Sequence, residues 1–545
     1  VSRVNNSQDG RPTVRVTVGR GDASDGTAER EADDTDERDG TLDRGRDVLQ
    51  AARDAAGEVD VLEVGSTGVR ALEPLVLVTD DGRTAYYPRV SVEQTRTLVG
   101  DLDAGERGTG DAEWTVEHGP DPGTLPTPSD GPLAVGTRRV LGGCGWVDPE
   151  AGIDADESAA TLARDDPDAA LEQLDDLGIL GRGRGDASRD DPIADDLAVV
   201  GDAAGEPVVV VNANESDRRN ETDRTLLGGS PAAVLDGALA VAEIVGATPG
   251  DVVVYTNEAD ALAQRRTREA TAAVTDAVGV EGDADDAATP QIVAGPDEYI
   301  AGEFTMALEA LEGNDRLEAR LRPPGPARHG LYGRPTTVHT PRTFAQIRRA
   351  LLDPEAFDAA DADPGTRLLT VAGDVAAPAT VELPTGSGLA TVRGAVETDG
   401  RVKMACVGGQ FGGFTRSLDH TVSAVGLRNA DLGTEGVVEL FGEDRCPLAL
   451  AGERARFASE ANCGRCFPGR EGSKQLLGLL RDIYDGSYED DMIRELTRVM
   501  GGTSLCDVGR SAARSVETAH DRFETEFEAH ADGHCPSGTC EVTSS

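Results

Sequence analysis

Lysine is almost absent from this chain. Its 545 residues include two, Lys403 and Lys474, so arginine carries nearly all the positive charge. Positive charge is itself scarce: 100 acidic residues oppose 52 basic ones, giving a formal net charge of −48. Such a surface repels phosphate backbones and anionic lipid, which excludes roles that need a basic face. The acid is spread along the whole chain, as expected of a surface adapted to concentrated salt, where self-repulsion is screened. Long apolar runs are missing too. No stretch of about 18 apolar residues could span a bilayer, and Val1 to Gly10 lack the apolar core of a secretion signal. A cytoplasmic location is expected. Histidine is limited to seven positions, and no Ser/His/Asp triad or phosphate-loop signature occurs. Cysteine is sparse but uneven. Cys144 stands alone, while Cys406, Cys446, Cys463, Cys466, Cys506, Cys535 and Cys540 crowd the last third. In a cytosolic chain that clustering points to metal ligation over disulfides.

The length suits several domains, each with its own core. An alternating strand at 13–18, a helix near 45–56 and strands near Val59–Val64 and Pro74–Val78 predict a small α/β domain over 1–100. A Gly/Pro/Asp-rich linker follows, with 101–160 as connecting chain. The apolar runs Pro207–Asn212 and Asp251–Thr256 flank an Ala/Val-rich helix, Ala232–Gly246. This predicts a parallel sheet covered on both faces within 161–365, with ligands at the carboxyl ends of its strands. Short strands at Arg367–Val371, Ala379–Leu383 and Val402–Val407 predict a β-grasp-like module over 366–445. From 446 to 530 the pattern is helical. Leu476, Leu477, Leu480, Ile483 and Tyr484 form one apolar face, and Met492, Ile493, Leu496 and Met500 another, both expected in a bundle core. Residues 531–545 form a Cys/His tail. Cys144 and Cys406 read as buried, inert thiols.

The most specific stretch is Asn462-Cys463-Gly464-Arg465-Cys466-Phe467-Pro468-Gly469-Arg470-Glu471-Gly472, with Cys506 forty residues after Cys466. Cys463, Cys466 and Cys506 could hold a [4Fe–4S] cluster with a non-cysteine or absent fourth ligand, could hold zinc, or could be three reduced thiols. The stretch resembles the C-x-x-C-x-x-C-R-E-G motif of the NADH- and flavin-binding subunit of complex I. Its soluble relatives occur in bifurcating hydrogenases and NAD-dependent formate dehydrogenases. Gly469 stands at the third cysteine position. The resemblance continues through Glu298-Tyr299-Ile300-Ala301-Gly302-Glu303-Phe304-Thr305, Leu321-Arg322-Pro323-Pro324, Gly330-Leu331-Tyr332-Gly333-Arg334-Pro335-Thr336-Thr337-Val338, and Asn212-Ala213-Asn214-Glu215 with Asp223-Arg224. With the surface charge, it suggests a diverged, haloarchaeal member.

The resemblance implies NAD(P)H oxidation at FMN, with single electrons passing to an iron–sulfur cluster and on to a redox partner subunit of a hetero-oligomeric oxidoreductase. Glu215 and Glu303 would be the catalytic carboxylates. Asn212 and Glu215 would line the flavin and nicotinamide pocket. Tyr299, Gly302, Glu303, Thr336 and Thr337 would complete the cofactor-binding set, and Gly181-Arg182-Gly183 would begin the loop whose backbone N–H groups receive the flavin phosphate. Departures predict a weakened FMN site: Ala187 for a phenylalanine, carboxylates at Asp186 and Asp190, Phe304 for a glutamate, and His339-Thr340 for an Asn pair.

Glu63-Val64-Gly65-Ser66-Thr67-Gly68-Val69-Arg70 and Glu73-Pro74 resemble a thioredoxin-like [2Fe–2S] domain with Ser66 and Arg70 in place of its cysteines. No [2Fe–2S] cluster is expected there. His530 and His534-Cys535-Pro536-Ser537-Gly538-Thr539-Cys540 resemble the tail of the hydrogenase and formate dehydrogenase flavin subunits. Cys446, Cys535, Cys540 and one histidine would make a closed Cys₃His zinc site, with His530 and His534 both candidates. The alternative to a working subunit is a catalytically degenerate paralog with a structural or regulatory role.

Overall fold

The structure, a computed structural model, describes residues 11–19, 40–105, 111–120, 122–183, 190–279 and 289–540. Three sheets and a helical C-terminal region organise them. The first sheet contains β1 (Thr13–Thr17), β2 (Asp60–Val64), β3 (Leu75–Asp80), β4 (Arg83–Pro88) and β5 (Trp114–Glu117), in the order β2-β1-β3-β4-β5. Only the β1–β2 pair is parallel. β5 falls in the stretch read as linker. Its four residues are too short for a period-two signal, and its pairing with β4 comes from the tertiary structure.

The second sheet is wholly parallel: β6 (Val208–Ala213), β7 (Val252–Asn257), β8 (Gln291–Gly295) and β9 (Thr336–His339), in the order β8-β7-β6-β9. Every residue of β6 and β7 is buried, which is why they read as unbroken β-branched runs. The helix Pro231–Val245 joins them. Proline fits its first turn, and Gly246 at φ 76° ends it in the left-handed conformation.

The third sheet contains β10 (Thr366–Gly373), β11 (Ala379–Pro384), β12 (Val402–Val407), β13 (Gly413–Thr415) and β14 (Val437–Gly442), in the order β11-β10-β14-β12-β13. The C-terminal helices are Pro447–Glu460, Ser473–Tyr484, Asp490–Thr503, Asp507–Ser511 and Arg514–Ala531. Leu476, Leu477, Leu480 and Ile483 are buried among them, with Tyr484 packed against this core. Met492 departs from expectation. It is 56% exposed, while Ile493, Thr497 and Met500 are buried. The inward stripe runs 493–497–500 with Leu496 at its edge, and Met492 stands one residue, or about 100°, outside it.

The N-terminal unit is locked onto the rest through the Gly65–Arg70 segment. A Cβ on Gly65 would lie 2.3 Å from the Cα of Gly229, so only glycine permits this backbone approach. Gly68 has φ +93°, and its carbonyl accepts from Thr380 N (2.7 Å) beside the third sheet. Ser66 Oγ donates to Glu73 Oε1 (2.5 Å), and Arg70 pairs with Glu221 (2.7 Å). At the two positions where the resemblance expects cysteine stand a polar bridge and an inter-unit ion pair.

No single helix among the described residues is long and apolar enough to cross a membrane.

Candidate functional site

β6 delivers Asn212 at its carboxyl end, and the chain after it turns through Asn214 and Glu215. Asn212 Nδ2 donates to Gly302 O (2.9 Å), which ties the first motif to the second. Asn212 Oδ1 and Ser216 Oγ are buried without hydrogen-bond partners. An adjoining cavity of about 510 Å³ is lined by Ser216, Asp217, Tyr299, Gln410 and Phe457 among others. Tyr299 meets the rings of Phe411 and Phe457 edge-on, each at 5.3 Å, forming a rigid apolar wall. The size suits a cofactor pocket. The unpartnered Ser216 hydroxyl lines this cavity just past the strand end and fits a polar edge of a flavin ring.

Glu303 caps the helix Phe304–Leu311. Its Oε2 accepts from Thr305 N (2.8 Å) and Met306 N (2.9 Å), while Oε1 is buried without a partner. Burial pushes its carboxyl up to about 7 against these hydrogen bonds. Glu215 closes a turn: Oε1 accepts from Asp217 N (2.8 Å) and Oε2 from Asn220 Nδ2 (3.0 Å).

Other expected residues face elsewhere. Thr336 Oγ1 accepts from Leu331 N (2.9 Å), and Thr337 Oγ1 donates to Asp196 (2.5 Å). Both hydroxyls serve β9 and its entry, away from the cavity lining. His339 also reaches Asp196 (3.3 Å), and Thr340 Oγ1 bonds Arg182 O. Gly181 N donates to Asp191 O (3.0 Å) and Arg182 N to Thr343 Oγ1 (2.9 Å). These two amides differ from expectation because internal acceptors already hold them. The buried Arg182 guanidinium pairs with Asp363 (2.8 Å). Asp190, expected to face a phosphate, is buried against Arg367 (2.7 Å) and Arg428 (3.2 Å). Asp186 and Ala187 lie outside the described residues. In the Asp223-Arg224 segment, Asp223 pairs with Arg342 (2.9 Å) and Arg224 with Asp260 (2.7 Å).

Phe304, standing where the family motif has glutamate, carries the Arg322 guanidinium 4.7 Å from its ring centre. Arg322 reaches on to Asp507 (3.5 Å), next to Cys506. Arg219, held by Asp217 (2.7 Å) and Glu439 (3.2 Å), was not anticipated from the sequence. The family motif that Asn212–Arg224 resembles, N-A-D-E-G-E-P-G-T-F-K-D-R, has glycine at its position, which was the available signal.

Cys463, Cys466 and Gly469 lie on the loop and wide helical turn Pro468–Gly472, against which the helix Asp507–Ser511 packs. Interaction between the neighbouring Cys463 and Cys506 thiols lowers Cys463 and, together with burial, raises Cys506. A Cβ on Gly469 would lie 3.1 Å from Cys466 Sγ. Three thiols on facing segments fit the donor set of an iron–sulfur cluster.

A second group closes at the C-terminus. One ligand atom from each of Cys446, His530, Cys535 and Cys540 lies within 4.8 Å of all the others. His530 is the histidine brought in, with Nε2 3.4 Å from Cys446 Sγ and Nδ1 2.6 Å from Glu526 O. A carbonyl on the second ring nitrogen orients Nε2 toward the sulfurs. This donor set fits tetrahedral zinc.

Residues 175–349 match the Nuo51 FMN-binding domain, and residues 449–530 match the NADH-ubiquinone oxidoreductase-F iron-sulfur binding region. The F subunit of the NADH-quinone oxidoreductase of Mycobacterium bovis is 30% identical over 423 residues, covering 72% of this chain and 93% of that protein. The chain belongs to the family of NADH-quinone oxidoreductase F subunits. Among the relatives of this F-type chain, the NADP-reducing hydrogenase subunit HndC of Solidesulfovibrio fructosivorans is 28% identical over 435 residues, covering 75% of the chain and 86% of HndC. The fold is that of a chain of the NAD⁺-reducing [NiFe]-hydrogenase in its H₂-reduced state. The TM-score is 0.64 at 23% identity, over 98% of this chain and 86% of that one.

Proposed function

We propose that this F-type homologue takes electrons from NAD(P)H through FMN to an iron–sulfur cluster and hands them to a partner subunit of a larger oxidoreductase. The observation that carries this reading is that both ends of the path lie in one chain: a flavin-domain match at 175–349 and a cluster-region match at 449–530. FMN, when bound, accepts a hydride from the nicotinamide and releases electrons singly. The chain's own residues bind and orient it. Asn212 Oδ1 and Ser216 Oγ await donors or acceptors on the ring edge. Tyr299 and Phe457 line the cavity, with Phe411 packed against both rings. Glu303, with its raised carboxyl, can hold a proton near neutrality beside this pocket. Engagement of the Gly181 and Arg182 amides supports a weakened hold on the flavin phosphate.

Zinc at Cys446, His530, Cys535 and Cys540 would pin the C-terminal tail. The N-terminal unit is read as a degenerate thioredoxin-like domain without a [2Fe–2S] cluster, and the third sheet as a β-grasp-like module. The acidic surface supports a halophilic, cytoplasmic setting. A second reading, a paralog retained as scaffold, draws on Gly469, on Arg182 and on the Ser66 and Arg70 replacements.

Cofactor analysis tests the two. The full chain, purified anaerobically in high salt, is assayed for flavin, iron, sulfide and zinc, and for NADH-dependent ferricyanide reduction. Stoichiometric flavin with iron and sulfide is expected. Zinc alone, with no flavin and no reductase activity, would overturn the redox reading in favour of the scaffold.

A further inference from the structure

We propose that the cluster of this chain is held by three cysteines, Cys463, Cys466 and Cys506, and keeps one iron without a protein ligand at Gly469, open to a small external thiol. This rests on the cluster reading above.

The spacing sets the problem. Positions 463, 466 and 469 recur every three residues, and the third carries no side chain. Gly469 is buried. A Cβ built on it meets Cys466 Sγ at 3.1 Å and, apart from its two chain neighbours and the local helical backbone, no other atom within 4 Å. That contact is tight, so the Cys466 sulfur must give slightly to admit a Cβ, and beyond the adjoining residues no other protein atom crowds the position.

Most oxygen donors around the turn are engaged elsewhere. Ser473 Oγ donates to Gly469 O (2.7 Å). Glu471 pairs with Arg470 (3.0 Å) and Lys474 (3.5 Å). Asp507 is held by Arg322 (3.5 Å) and Arg510 (3.5 Å). Glu303 spends Oε2 on its helix cap and keeps Oε1 buried without a partner, which makes it the protein group to test as a fourth ligand. The neighbouring Phe467 is 65% exposed, so the turn borders solvent. Iron in such clusters is normally completed by a thiolate, and a soft external thiolate is the natural substitute.

The consequence is a defined lability. One-electron oxidation by ferricyanide would release the unligated iron: [4Fe–4S]²⁺ gives [3Fe–4S]⁺, Fe²⁺ and one electron, which reduces ferricyanide to ferrocyanide. The three cysteine–iron bonds remain intact.

The test uses the full chain, reconstituted anaerobically in high salt, alongside Gly469→Cys and Cys466→Ser. Iron and sulfide are counted before and after one equivalent of ferricyanide, with electron paramagnetic resonance at each stage and with 2-mercaptoethanol added to the reduced cluster. The wild type is expected to fall from about four to about three irons per chain. It should then show a three-iron signal, recover with ferrous iron, and respond spectrally to the thiol. Gly469→Cys should keep its iron through oxidation and ignore the thiol, and Cys466→Ser should lose the cluster. A wild type that keeps all its iron and ignores the thiol would overturn the inference, because a protein ligand must then complete the cluster. Iron in Gly469→Cys but none in the wild type would also overturn it. Absence of iron and sulfide from both would sink the cluster reading itself.

Discussion

Asp363 shows how single residues carry this fold. It is buried between Arg182 (2.8 Å) and Arg367 (3.0 Å), and Arg367 also holds Asp190. Asp363→Asn leaves two buried guanidiniums short of one counter-charge, so urea unfolding should show a loss of about 3–5 kcal/mol. None of this was legible in the sequence, where Asp190 read as a carboxylate facing phosphate. Its arginine partners lie 177 and 238 positions away, and only the assembled sheets bring them together. Glu303 offers a pH signature. Its folded pKa of about 7 lies above the ordinary carboxyl value, so the folded state takes up the proton first. Stability from this group is greatest below the unfolded pKa and falls as pH rises through 7. Glu303→Gln should flatten that fall in a pH series of thermal melts, with a gain of about 3 kcal/mol at most above pH 8.

At the scale of elements, the helix Asp490–Thr503 separates packing from periodicity. Ile493→Ala should cost about 2–5 kcal/mol in denaturant unfolding, whereas Met492→Ser should stay within about 0.5 kcal/mol. Equal losses would mean that Met492 is covered by something else in solution. In the parallel sheet β6 and β7 were legible because burial on both faces leaves continuous apolar runs, whereas β8 and β9 were not read as strands. The helix between β6 and β7 was legible from its Ala/Val content. β5 was not, because four residues beside glycine and proline carry no pattern. Within the candidate site, Cys446, Cys535 and Cys540 were legible as one group from their residue type and resemblance, and the structure brings their sulfurs together. Thr336 and Thr337 were over-read. Their motif serves the entry to β9, where hydroxyls satisfy local backbone and Asp196. The choice of His530 over His534 needed the helix Arg514–Ala531, which carries His530 to Cys446.

For the whole molecule, net charge decides the conditions of folding. A formal charge of −48 repels itself strongly when the screening length is near 10 Å, at about 0.1 M salt, and far less near 3 Å, at about 1 M. Thermal melts across a potassium chloride series should therefore rise steeply with salt, and a flat series would show that the charge is balanced locally by its arginine pairs. The same composition leaves amine chemistry almost nothing to react with. Lys403 is 15% exposed and bound to Glu526, while Lys474 is 57% exposed and sits two residues past the turn that carries Gly469. An amine-reactive dye would thus find a single open lysine side chain, beside the cluster turn, and this chain comes with a built-in attachment point for an optical reporter of that turn.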